Sequence, residues 1–119
     1  MKQIERGDIV YVDLGQHSNS SIQSGFRPCV VVGGYPTSPV VNICPLTSRL
    51  SKKNIPVHVT LEKKDVSGFL EKTSIVLVEQ ITTMDKRKIV SKTGHIPKDS
   101  EAMNLIDVAL KRQVICNKG

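Results

Sequence analysis

The apolar residues of this chain come in short β-branched runs, and each run is cut off by glycine, proline, serine or asparagine. "DIVYVDL" stops at Gly15, "RPCVVV" at Gly33-Gly34, and "VVNIC" meets Pro45. Val and Ile suit a pleated, half-buried surface, and punctuation at this spacing predicts several short strands joined by turns. Only 3% of the 119 residues are aromatic, so Val, Ile and Leu must build the core. That length predicts a single domain over residues 1–119.

A strand is expected over "GDIVYVDL", Gly7 to Leu14, with both faces largely covered. The polar stretch "GQHSNSSIQSG", Gly15 to Gly25, predicts a loop, and loops of this length in a small domain are often functional. A second strand starts at Pro28. A third runs from Val40 past Pro45 to Thr47, with the proline at an edge or bulge because it has no N–H to donate. "IPVHVTL" alternates Val57, Val59 and Leu61 against His58 and Thr60, which predicts a strand with one exposed face. Ser74 to Asp85 reads as one further strand, and "KIVSKTGHI" as a short one.

Only "KDSEAMNLIDVALKRQVI" reads as an α-helix. Asp99 or Ser100 is its N-cap, Glu101 lies in the first turn and Lys111-Arg112 in the last, and Met103, Ile106, Leu110 and Val114 form its apolar stripe. The pattern is that of a mainly β (α+β) chain: a small twisted sheet or barrel covered by one C-terminal amphipathic helix.

No apolar run approaches the roughly 18 residues of a membrane span, and the "MKQIERGD" start has no signal-peptide core, so a cytoplasmic protein without membrane partners is expected. Cys29, Cys44 and Cys116 are widely spaced and lack a C-x-x-C pair, which argues against a disulfide framework or zinc site. The formal charge is +6, and between Leu14 and Leu61 there is no Asp or Glu, while Arg27, Arg49, Lys52 and Lys53 all fall there. An anionic partner is expected on that half, with nucleic acid first and an acidic protein tail second.

No phosphate-binding loop, dinucleotide turn or nucleophile elbow occurs, and the polar half has no carboxylate cluster to hold a hard cation. No cofactor and no metal are therefore expected. RNA carries its own nucleophile, the 2′-OH, so it can be cleaved by a few groups that remove that proton and stabilise the phosphoryl charge. Arg27, between Gly25 and Pro28, can give a phosphoryl group two hydrogen bonds, and Thr47 at a strand end can add a hydroxyl. If these strands are antiparallel neighbours, both residues lie at one sheet end. The alternative for Arg27 is a salt bridge to Asp13 or Glu79. His17, His58 and His95 are either surface residues or an acid/base set.

Taken in order, "RGDIVYVDL", "QSGFRPCVVV", "PLTSR", "IPVHV" and "VLVEQITTMDKRKI" resemble the MazF/PemK (Kid-type) toxins of bacterial toxin–antitoxin modules, from about Arg6 to Val114. The resemblance implies a homodimeric, SH3-like barrel that is a sequence-specific, metal-independent endoribonuclease. It would cleave single-stranded RNA to 2′,3′-cyclic phosphate and 5′-hydroxyl ends and be neutralised by an acidic antitoxin. Arg27 and Thr47 would be catalytic; Gln23, Ser48, Arg49, Lys53, His58 and Gln80 would contact RNA. The family's loop usually reads G-S-E-Q-x-G; here Gln23 and Gly25 match, and Ile22 stands in place of the acid. The competing reading is a non-catalytic barrel that binds nucleic acid or a protein target such as gyrase.

Overall fold

One strand organises the molecule. In the computed structural model, which describes residues 3–16, 22–52 and 55–115, β3 (Val40–Thr47) pairs on one side with β2 (Phe26–Gly33). On its other side it pairs first with β7 (Thr82–Asp85) and then with β6 (Ser74–Leu77). β1 (Asp8–Asp13) lies beyond β2, followed by β8 (Ile89–His95) and the two-residue β5 (Ser67–Gly68), while β4 (His58–Leu61) flanks β6. All pairings are antiparallel, and the sheet curls into a half-barrel with one C-terminal helix, α1 (Glu101–Val114). The mainly β fold with a helical cover is thus as the sequence pattern predicts.

The curl buries both faces of the central strands. Ile9, Val30, Cys44, Leu46 and Val76 join Met103, Ile106 and Ala109 of α1 in the larger core; Val10, Val12, Cys29, Val31 and Ile43 form a second one on the opposite face. Side chains alternate across a strand, so "IVYV" and "CVVV" are hydrophobic at every position to serve both cores. Ser100 caps α1, its Oγ accepting the Met103 N–H at 3.2 Å. The buried stripe is Ala102, Met103, Ile106 and Ala109, with Leu110 partly buried against the same core; Val114, assigned to it from spacing, is exposed in the last turn.

The segment Ser74–Asp85 is two strands rather than one. β6 sets Leu46 against Val76, a register that would place Glu79 opposite Ile43, yet β7 sets Thr82 there. The 3₁₀ turn Val78–Gln80 takes up the difference and projects Glu79 and Gln80 out of the ladder. Pro45 lies inside a strand flanked on both sides, but between Ile43, where β7 pairing ends, and Leu46, where β6 pairing begins, so its missing N–H breaks no ladder bond to β6 or β7. His95 ends β8, where its Nδ1 lies 2.8 Å from the fully buried Asp8. His17 and Cys116 lie outside the described residues.

Burial pushes the thiols of Cys29 and Cys44 up from 9.0 to about 12, with Arg27 working against the shift at Cys29. Both are core residues that stay protonated at neutral pH. A raised folded-state pKa contributes stability that is present below about pH 9 and is lost as pH climbs toward about 12. Iodoacetamide labelling at pH 8, read by peptide mapping, should therefore modify these two at least about 100-fold more slowly in the native protein than in urea.

Candidate functional site

The β2–β3 register pairs Cys29 with Pro45 and, carried two residues further, brings Arg27 level with Thr47. The two residues line one cavity of about 170 Å³ at that end of the sheet, together with Ser48, Tyr11 and Thr93. Its remaining wall comes from the segment after β5, where Phe69, Glu71, Lys72 and Ser74 reach the same space. The expectation that Arg27 and Thr47 share a sheet end holds.

Arg27 is half-buried, and its Nε donates to the Ser24 carbonyl at 3.1 Å. Neither carboxylate considered as its partner is engaged with it. Asp13 Oδ1 accepts the Gly15 N–H at 2.9 Å, and Glu79 Oε2 lies 2.6 Å from His58 Nε2. Among the described residues no ion pair reaches the guanidinium, so its terminal nitrogens are left for an outside anion. Thr47 is buried, and its Oγ1 accepts the Arg49 N–H at 3.2 Å, which orients the hydroxyl and leaves its proton to be donated. An anion seated here would meet a guanidinium and a hydroxyl at the mouth of one cavity.

Of the other sequence candidates, Ser48 lines this cavity, whereas Arg49 is exposed beside it and Lys53 lies outside the described residues. Gln23 and Gln80 meet in a second cavity of about 380 Å³, where the Gln23 N–H donates to Gln80 Oε1 at 2.8 Å. His58 is a correction. Expected on an exposed strand face, its side chain is only 2% exposed, because the Val78–Gln80 turn folds Glu79 over it. That side chain has almost no surface to offer RNA.

Glu71 and Lys72 were not found from sequence, because they reach Arg27 through long-range pairings, β5 with β8 before them and β6 with β3 after them. Phe69 had a usable signal. In a chain with two phenylalanines, both Phe69 and Phe26 are more than half exposed, an expensive placement for a core-forming residue and a common one for stacking on bases.

Glu5, Asp8 and His95 also bring three potential ligand atoms within 4.8 Å of one another. Asp8 is already occupied there: Oδ2 accepts the Glu5 N–H at 2.8 Å and lies 3.3 Å from Lys92 Nζ, while Oδ1 faces His95. This cluster ties β1 to β8, and none of its members lines the Arg27 cavity.

A curled antiparallel sheet with one C-terminal helix is the architecture of a known class of small toxins. The chain belongs to the PemK-like, MazF-like toxins of type II toxin–antitoxin systems, whose pattern matches residues 5–114. Solved structures agree on the fold. An endoribonuclease from a mycobacterial species in complex with its cognate antitoxin superposes with a TM-score of 0.71 at 23% identity, covering 92% of each chain. A second mycobacterial endoribonuclease gives 0.73 at 21% identity, covering 96% of this chain and 93% of that one. MazF from Deinococcus radiodurans gives 0.70 at 22% identity, over 93% and 96%.

Proposed function

We propose that this protein is the toxin of a toxin–antitoxin pair and acts as a sequence-specific endoribonuclease on single-stranded RNA. The observation that carries the reading is the pairing of a half-buried guanidinium, without a carboxylate partner among the described residues, with an orienting hydroxyl in one cavity. Family membership and the endoribonuclease activity of the structural neighbours support it.

In the proposed reaction the 2′-oxygen attacks the adjacent phosphorus as its proton is removed, the bond from phosphorus to the 5′-oxygen breaks, and that oxygen takes up a proton from solvent. The products are a 2′,3′-cyclic phosphate and a 5′-hydroxyl. Arg27 and Thr47 stabilise the phosphoryl oxygens as charge develops. A guanidinium offers only N–H donors and has no acceptor for the 2′-OH proton, so that role falls to Glu71, the one carboxylate among the described residues lining the cavity. A hard metal ion asks for several oxygen ligands, and a lone exposed glutamate is a poor cage for one, so the reaction is proposed to run without metal.

The antitoxin bound to a neighbouring toxin makes a cognate antitoxin the proposed protein partner here, with an acidic segment that would compete with RNA for the positive half of the molecule. A homodimer is proposed as the working form. No described helix is long and apolar enough to cross a membrane. The test is incubation with a long single-stranded RNA in EDTA, followed by mapping of the cut ends. Cuts at a short consensus with 5′-hydroxyl ends are expected; intact RNA that is nevertheless bound would favour the non-catalytic barrel.

A further inference from the structure

Phe69 presents an apolar ring to solvent from a backbone that is held in place. The residue is 57% exposed, yet its N–H donates to the Thr93 carbonyl at 2.9 Å, and the next residue, Leu70, is buried in the larger core. β8 passes so close that a Cβ at Gly94 would fall 2.9 Å from the Phe69 carbonyl oxygen. The chain is therefore clamped around a ring that it leaves in water, and that ring forgoes the stabilisation burial would give it. Phe69 lines the Arg27 cavity on the same segment as Glu71, whereas Phe26, the other exposed phenylalanine, does not line it.

We propose that Phe69 is the stacking platform for the base of the nucleotide on the 5′ side of the cut. The inference rests on the ribonuclease reading above and assigns a seat to one base of the substrate. In that reading Glu71 takes the 2′-OH proton, so the ribose of this nucleotide lies at Glu71. Leu70 turns into the core, which leaves Phe69 and Glu71 as exposed neighbours on either side of it. Two residues of extended chain span about 7 Å, the scale of a single nucleoside.

A base carried by that ribose meets the Phe69 ring. Single-stranded RNA offers unstacked bases, and an aromatic face accepts any of them because every base has a π face. Arg27 and Thr47 hold the adjoining phosphate from the β2–β3 side of the cavity. Ring, carboxylate and guanidinium thus meet the base, ribose and phosphate of one nucleotide. Phe69 supplies binding and alignment at this position, and leaves the choice of base to other contacts.

The test uses a short RNA spanning one mapped cut site, made non-cleavable by 2′-deoxy substitution of the nucleotide 5′ to the cut, and a copy in which that nucleotide has no base. Fluorescence anisotropy would give the affinity of each for wild type, Phe69→Ala, Phe69→Leu and Phe69→Tyr, with circular dichroism to check folding. On the complete RNA, Phe69→Ala should weaken binding by about 10-fold or more, Phe69→Leu nearly as much despite its apolar bulk, and Phe69→Tyr hardly at all. On the baseless RNA wild type should lose at least the same factor, and Phe69→Ala and Phe69→Leu should then bind as wild type does. A Phe69→Ala loss equal on both RNAs, no loss on either, or a Phe69→Leu protein that grips complete RNA like wild type would overturn the assignment while leaving the nuclease reading intact. Should Phe69→Ala fail to fold, Phe69→Leu decides. Wild-type protein that cuts no RNA would end both.

Discussion

Arg27→Ala is expected to slow RNA cleavage by at least about 100- to 1,000-fold, the usual loss when one pre-organised donor to a developing oxyanion is removed. The guanidinium sits at the cavity with its Nε held by Ser24, and alanine would take away both charge and hydrogen bonds. Arg27→Lys should restore little, because an ammonium cannot present two parallel donors. The Arg27 side chain is only half-buried and makes no ion pair among the described residues, so thermal unfolding should move little. Glu71→Gln provides the contrast. It should also slow cleavage, since the 2′-OH proton would lose its acceptor. Single-turnover rates measure both effects, and a Glu71→Gln rate equal to that of wild type would remove Glu71 as the base.

A large loss of stability is expected on removing the Asp8 carboxylate. This carboxylate is fully buried and accepts from the Glu5 N–H, faces His95 Nδ1 at 2.8 Å, and lies 3.3 Å from Lys92 Nζ. Asp8→Ala strands a backbone donor and two side chains at the junction of β1 and β8, at a cost of about 3 kcal/mol. In a domain of this size that lowers the melting temperature by about 10 °C or more. Calorimetry on Asp8→Ala and Asp8→Asn would check this, the asparagine being the milder change because it can still accept one of the hydrogen bonds. A shift below about 2 °C for Asp8→Ala would show that the cluster is surface decoration.

Asp8 illustrates what could not be read in advance. In "RGDIVY" it is an acid at a strand start, which suits a solvated turn as well as a buried anchor. Only His95 and Lys92, more than eighty residues away in the chain, distinguish the two. Gly7 beside it adopts φ +97° with its carbonyl bonded to the Ile96 N–H, and a Cβ there would collide with the Ile96 carbonyl oxygen. The chain therefore turns into β1 where only glycine fits.

Arg27 and Thr47 were legible because the signals are local. Proline marks the start of one strand to within two residues, the strand in fact beginning at Phe26, threonine closes the next, and a short turn makes the strands antiparallel neighbours. His58 was misread because alternation reports which side of a strand a residue is on, and says nothing of what later folds over that side. The single strand expected over 74–85 failed for a related reason. A run of β-formers carries no mark of the register jump that makes it pair twice with β3.

The sequence by itself determined most of the strands, the helix with its serine cap, the arginine and threonine at one sheet end, and the motifs of the toxin family. The strands, the helix and its cap rest on side-chain chemistry and spacing within about a dozen residues, where the chain's own geometry decides who meets whom. Only the tertiary structure decided that Glu71 shares the cavity, that Glu79 covers His58 with one oxygen unused, and that Asp8 is an anchor. Those contacts depend on strand register and curl, which are set by the packing of two cores at once and which no short stretch of sequence encodes.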